Sequence, residues 1–158
     1  MPKPLVFLMG RSPAFVPVDR RYARNHMWAE SGPGGWRCGL SAYAVRLLGD
    51  VYHLEWSVAA GDSVEQGMPI GYVEASKATS DLVAPIDGRV EGLHGGVLAD
   101  PSLVNSGPYD AGWLLRIDGQ GLGLLWPEEY LAHLEAVWPL AQRLLKGQAG
   151  RERPPGSL

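Results

Sequence analysis

Cysteine is almost absent: Cys38 is the only one in 158 residues. An internal disulfide and a cysteine-ligated metal site are therefore both excluded, and a reducing compartment fits the chain best. Lysine is nearly as scarce, at positions 3, 77 and 146 against eleven arginines, so an internal lysine stands out. Positive charge is not in excess. Fourteen Lys plus Arg face 17 Asp plus Glu for a net charge of -3, and without a clustered positive field no nucleic-acid partner is expected. The four histidines, His26, His53, His94 and His133, show no ligand spacing, which argues against zinc. Long hydrophobic runs are missing too. The opening MPKPLVFLMGR holds only about six apolar residues in a row, short of a signal core and far short of a membrane span, so the chain reads as cytoplasmic with no membrane partner.

Glycine and proline are abundant, at 21 and 13, which favours many turns and short strands. With 46% hydrophobic residues the length suits one compact, mainly β domain. Residues 1–20 carry four prolines and read as an extended N-terminal arm, with LVFL as an edge strand. Across 21–126 the apolar runs WRCGL, DVYHLEW, MPIGYVEA, DLVAPI, GRVEGL and GWLLRI alternate with turn signals. Gly61-Asp62 and Gly67 bound one turn, and Asp87-Gly88 carries a hairpin signal. A short helix is expected over Ser41 to Leu48, capped by Ser41 and ended by Gly49. From Pro127 a proline and two glutamates open a C-terminal helix, 127–146, with Leu131, Leu134, Val137 or Trp138 and Ala141 at helical spacing and a kink at Pro139. The remainder, 147–158, is nearly devoid of apolar residues and reads as a disordered tail.

The centre of interest is GYVEASKATSDLVAPIDGRV, residues 71–90. Ile70 to Glu74 and Leu82 to Ile86 read as strands, and the small polar residues between them, Ala75 to Asp81, place Lys77 on a hairpin loop. Such a lysine is either a solvated turn residue or one presented to a modifying enzyme, which would turn its ammonium into a neutral amide carrying a cofactor. Gly119-x-Gly121-x-Gly123 lacks a β-α-β context, and Gly71 to Lys77 lacks the second glycine and following hydroxyl of a phosphate loop, so neither is a nucleotide motif. No nucleophile and base pair stands out, and catalysis by the chain itself is not expected.

Residues spread over about 95 positions resemble the H proteins of the glycine cleavage system, a family of lipoyl carriers. Tyr22, His26 and Trp28 fit the family's Lys-Tyr-x-x-x-His-Glu-Trp, and Gly39, Tyr43-Ala44 and Leu48-Gly49-Asp50 its next two motifs. Glu74, Lys77, Ala78, Ser80 and Asp81 fit Glu-Ser-Val-Lys-Ala-x-Ser-Asp, and Pro85, Gly88, Pro101 to Asn105, Pro108-Tyr109 and Gly112-Trp113 follow in order. The resemblance implies a barrel-sandwich hybrid with lipoic acid on Lys77, attached by a lipoate ligase or lipoyl transferase. The lipoyl dithiolane cycles between disulfide and dithiol and carries a covalently attached intermediate between partner enzymes. Biotin carriers usually flank their lysine with methionines, whereas Ser76 and Ala78 stand here.

Several positions depart from the family. Met27 replaces the Glu of His-Glu-Trp, Leu47 stands where some members have His, Ala75-Ser76 replaces Ser-Val, Ser57 replaces a proline and His94 an asparagine. With His26, Met27 and Leu47 form the candidate lining of a cleft for the arm, and a methionine cannot pair with a cationic cargo as a glutamate does. Two pathways are compatible with this pattern: glycine cleavage, or the sulfur-oxidising, heterodisulfide-reductase-like system that certain H-like lipoate-binding proteins serve. A binding or regulatory module that keeps the fold without the cofactor is the alternative. Glu74 and Asp81 are either plain exposed charges or recognition points for the lipoylating enzyme, His26 is either packed or cleft-lining, and Cys38 is expected to be a buried, inert thiol.

Overall fold

The computed structural model describes residues 2–148. Eleven strands and four helices follow in chain order: β1 (Leu5–Met9), β2 (Ser12–Val16), β3 (Arg21–Tyr22), β4 (Met27–Gly32), β5 (Gly35–Leu40), α1 (Ala42–Leu48), β6 (Val51–Trp56), β7 (Ser63–Val64), β8 (Pro69–Ala75), β9 (Thr79–Val83), β10 (Gly88–Leu93), α2 (Gly95–Ala99), α3 (Leu103–Ser106), β11 (Leu115–Asp118) and α4 (Pro127–Gln148). All pairings are antiparallel. A six-stranded sheet in the order β3-β4-β5-β11-β10-β7 faces a three-stranded sheet β6-β8-β9, and β1-β2 stands apart as its own hairpin. The two larger sheets enclose an apolar core containing Met27, Cys38, Val73, Leu82, Ile86 and Ile117. This is the barrel-sandwich hybrid expected from the resemblance.

The helix expected at Ser41 to Leu48 forms, and for the expected reason. Ser41 is extended, its Oγ accepts from the Ala44 amide at 3.3 Å, and Gly49, at φ 81°, ends the helix in a backbone region that suits glycine. Tyr43 and Leu47, one turn apart, face one way, while Ala44 and Leu48 face the barrel core.

The N-terminal segment is not an extended arm. Gly10, at φ 64°, occupies the first position of a two-residue turn closed by the Met9 and Ser12 pair, the position at which a hairpin turn matched to strand twist needs positive φ. LVFL forms β1, an edge strand as expected; the unexpected part is β2, whose Pro13 lies in a two-stranded sheet with no further partner strand, where a missing N–H costs little. Phe7, Met9, Ala14 and Val16 turn inward to form a second, aromatic-rich core with Tyr22, Trp28, Tyr43, Tyr130 and Leu134. Tyr109 ties this layer down, donating its hydroxyl proton to the Phe15 carbonyl at 2.6 Å and accepting from the Ala42 amide at 2.9 Å.

Two turn readings are corrected. Asp87-Gly88 does not close a hairpin, because β9 and β10 belong to different sheets. The pair instead marks the crossing between them, with the Asp87 carboxylate accepting from the Gln66 amide at 2.7 Å. The expected loop from Ala75 to Asp81 is much tighter, since Thr79, Ser80 and Asp81 pair with Glu74, Val73 and Tyr72 and belong to β9. α4 runs through Pro139, where the absent N–H leaves the Glu135 carbonyl without its helical partner. The tail expectation falls, from residue 149 onward, outside the described residues. Among the described residues no helix is long and apolar enough to cross a membrane.

Ser41 joins the two cores, because its buried hydroxyl also bonds the Tyr130 hydroxyl at 2.8 Å. Ser41→Ala removes a helix cap and takes from the buried Tyr130 hydroxyl one of its two partners, so urea unfolding should show a loss of about 1–3 kcal/mol.

Candidate functional site

Lys77 sits at the tip of the β8-β9 hairpin. The Ala75 amide donates to the Ala78 carbonyl at 2.9 Å, leaving Ser76 and Lys77 as the exposed turn between two buried alanines. The small flanking residues have a reason here: both methyls are packed into the barrel core. What the sequence pattern did not reveal is how firmly the tip is held. The Lys77 amide donates to the Leu48 carbonyl at 2.8 Å, at the end of α1, and the Ser76 amide donates to the Asp50 carbonyl at 2.9 Å. The Ser76 hydroxyl accepts from the Asp50 amide at 2.8 Å. Gly49 lies directly beneath: a Cβ there would meet the Ser76 hydroxyl and come within 2.9 Å of the Lys77 Cγ. Only glycine lets the turn dock this closely in that backbone conformation.

Asn105 completes the mount. Its amide nitrogen donates to the Gly49 carbonyl at 2.8 Å and its carbonyl oxygen accepts from the Val51 amide at 2.8 Å, so one side chain satisfies both backbone groups of the segment on which the lysine rests. Asn105 was visible in the sequence only as a family match with no assigned role. Glu74 and Asp81 project from opposite limbs of the hairpin. Glu74 lies across from Thr79 and His53, and Asp81 across from Tyr72, which places the two carboxylates as diagonal neighbours on one sheet face.

Asp81 lies on the wall of a cleft of about 460 Å³ that also takes in Arg24, Asn25, His26, Thr79 and Ser80. The structure thus brings Asp81 and His26 together. Met27 is fully buried and faces a small pocket beside this cleft, with Asn25, Leu40, Ala44 and Ser80. Leu47 lies on the other side of α1, in a groove of about 150 Å³ between that helix and α4, where His26 and Tyr43 join it. Of the three candidate lining residues, His26 borders the cleft and the groove, Leu47 the groove alone, and Met27 only the small pocket.

His26 adopts φ 76°, unusual outside glycine, at the tight β3-β4 turn. Its Nδ1 lies 2.9 Å from the Tyr130 hydroxyl, which in turn lies 2.8 Å from the Ser41 hydroxyl. Because Ser41 Oγ already accepts from Ala44, one ordering satisfies every group: Ser41 donates to Tyr130, and Tyr130 donates to a neutral His26 Nδ1. Burial, followed by the nearby His133, pushes the imidazole pKa down to about 4. Burial likewise raises the Tyr130 phenol well above its ordinary range. Elsewhere, burial pushes Cys38 up to about 12, as its apolar strand position suggested, and His94 stacks on Trp113 with ring centroids 4.2 Å apart. Among the described residues no cluster of three or more His, Cys, Asp or Glu side chains is arranged to hold a metal.

The family model described as glycine cleavage H-protein matches residues 20–135. A probable glycine cleavage system H protein of Natronomonas pharaonis is 37% identical over 122 residues, covering 75% of this chain and 96% of the relative. The glycine cleavage system H protein of Rubrobacter xylanophilus is 39% identical over 123 residues, covering 77% and 97%. The crystal structure of a glycine cleavage system H protein from Mycobacterium marinum superposes with a TM-score of 0.68 at 32% identity, covering 76% of this chain and 99% of that one.

Two predictions follow from this geometry. Asn105→Ala leaves the Gly49 carbonyl and Val51 amide unpaired, so hydrogen exchange at Val51 should accelerate and stability should fall by about 1–3 kcal/mol. A histidine held neutral down to about pH 4 leaves the unfolded chain, whose histidine titrates near pH 6.5, binding more protons in the interval. Stability from His26 is therefore complete above about pH 6.5 and declines as pH falls toward 4. Urea midpoints measured at pH 7 and pH 4.5 should converge less in the wild type than in His26→Asn, a residue that tolerates the same backbone angle; equal pH dependence in both would refute this assignment.

Proposed function

Because the chain belongs to the glycine cleavage H-protein family, we propose that Lys77 carries a lipoyl group and that the chain serves as the mobile carrier of a glycine cleavage system. As a member of that family it is a non-catalytic component that works between enzymes. The observation that carries the assignment to Lys77 is its mount: an exposed side chain on a two-residue turn whose backbone is pinned at both amides. The residues fit the group. An exposed lysine side chain is accessible for amide formation by a lipoate ligase or lipoyl transferase. When bound, the group supplies a dithiolane that cycles between disulfide and dithiol.

The chain's own residues contribute restraint and reach. Gly49 and Asn105 fix the point from which the arm departs, and the lysine stem supplies the rotatable bonds. Glu74 and Asp81, on the outward face of the hairpin, are proposed as contacts for the lipoylating enzyme, and Asp81 with Asn25, His26 and Ser80 offers a polar wall on which a loaded arm can rest. Met27 provides no carboxylate there, so within this cleft Asp81 is the acidic group positioned toward a cationic cargo. Partner enzymes of the glycine cleavage type follow from the family. The sulfur-oxidising alternative receives no support from the relatives, which are glycine cleavage H proteins.

Incubation of the chain with lipoate, ATP and a lipoate ligase should add one lipoyl group, near 188 Da, to the peptide containing Lys77. Lys77→Arg should fold with an unchanged urea midpoint and gain no mass. An unmodified wild type under conditions that modify another H protein would favour the cofactor-free binding module instead.

A further inference from the structure

The family match ends where this chain continues. Relatives are covered over nearly their whole length while about a quarter of this chain lies outside the alignment, and the family model stops at residues 20 and 135. The two excess segments, the β1-β2 hairpin and the second half of α4, fold onto each other. Phe7 meets Trp138 edge-on at 6.3 Å, and both meet Tyr43 of α1, at 6.0 and 6.1 Å. The second half of α4, backed by the hairpin, forms a new wall beside α1, where Val137, Leu140, Ala141 and Leu144 face Tyr43 and Leu47. Leu140 and Leu144 remain 55% and 46% exposed, so the groove keeps apolar surface in water that a ligand would gain by covering.

We infer that this groove is the resting site of the oxidised, unloaded dithiolane end of the Lys77 arm. The inference rests on the carrier reading above. Position favours it: the Lys77 amide is bonded to the Leu48 carbonyl at 2.8 Å, and Leu47, the residue before it in α1, lines the groove. Tyr43 lies one turn further, about 6 Å along the helix axis, within range of an arm of about ten bonds that extends on the order of 12 Å. Size is consistent, since about 150 Å³ matches the size of an apolar cavity that takes up a benzene ring, enough for a five-membered ring. Chemistry separates this groove from the polar cleft across His26. An uncharged disulfide ring gains nothing from Asn25, Ser80 and Asp81 but buries well against leucine and tyrosine. α1 thus divides two berths, and the added segments build the apolar one.

The test uses the full chain, lipoylated on Lys77 as verified by intact mass. With leucine methyls isotopically labelled, lipoylation should shift the resonances of Leu47, Leu140 and Leu144. The double variant Leu140→Ser with Leu144→Ser alters two exposed side chains and should keep the wild-type urea midpoint. Its dithiolane should be reduced by a small phosphine about fourfold faster, the equivalent of losing roughly one methylene of burial. Methyls of Leu47, Leu140 and Leu144 that stay unmoved on lipoylation overturn the inference, as does an unchanged reduction rate. A chain that never gains the lipoyl mass sinks the carrier reading and the groove with it, whereas a modified chain with unmoved methyls sinks the groove alone.

Discussion

The arrangement depends on the union between the β8-β9 turn and the end of α1. Two amide-to-carbonyl bonds, from Lys77 to Leu48 and from Ser76 to Asp50, convert a hairpin tip into a fixed platform. A free tip would spread the origin of a long side chain over several ångströms, and an arm that must meet distinct partners would lose orientation at its root. Here the motion is confined to the side chain itself. The cost falls on neighbouring residues: Gly49 must have no side chain, and Asn105 must satisfy the backbone that the turn leaves unpaired.

A second constraint is the hydrogen-bonded line from Ser41 through Tyr130 to His26. It crosses from the capped end of α1 to α4 and on to the β3-β4 turn, so the helix that anchors the lysine, the helix that closes the second core and the histidine at the cleft share one set of protons. Tyr22 stacks on Tyr130 with rings 4.5 Å apart and nearly parallel, leaving the phenol little freedom to rotate away. The interaction is short-ranged and dry, and therefore persists where surface ion pairs such as Arg89 with Glu91 contribute little.

Much of this was legible in the chain. Apolar runs separated by turn signals located β5, β6, β8, β9, β10 and β11, while the two-residue β7 fell inside the segment read as a turn, and Ser41 and Gly49 delimited α1 because capping is local chemistry written in adjacent residues. Lys77 declared itself by the scarcity of lysine and by its small neighbours. LVFL was legible as an edge strand, but its partner β2 was hidden because Pro13 argues against strand, and only a lone two-stranded sheet, invisible from sequence, makes that proline harmless. The loop at Lys77 read too long because Thr79 and Ser80 have turn-like chemistry, and cross-strand pairing with Glu74 and Val73 overrode it. Asn105 could not be assigned from spacing at all: its two bonds join segments more than fifty residues apart. Met27 and Leu47 were grouped as one lining because sequence does not say that α1 stands between them.

The buried thiol of Cys38 acquires a meaning once the chain is viewed as the bearer of a strained ring disulfide. Exchange between a thiol and a disulfide requires thiolate and access, and Cys38 has neither, being fully enclosed with its acidity suppressed to about 12. At high local concentration an exposed cysteine would open the ring on its own molecule or on a neighbour and divert the carrier into mixed disulfides. On the carrier reading, enclosure would keep the protein chemically silent toward its cargo-bearing group and leave the redox traffic along the arm to the enzymes it visits.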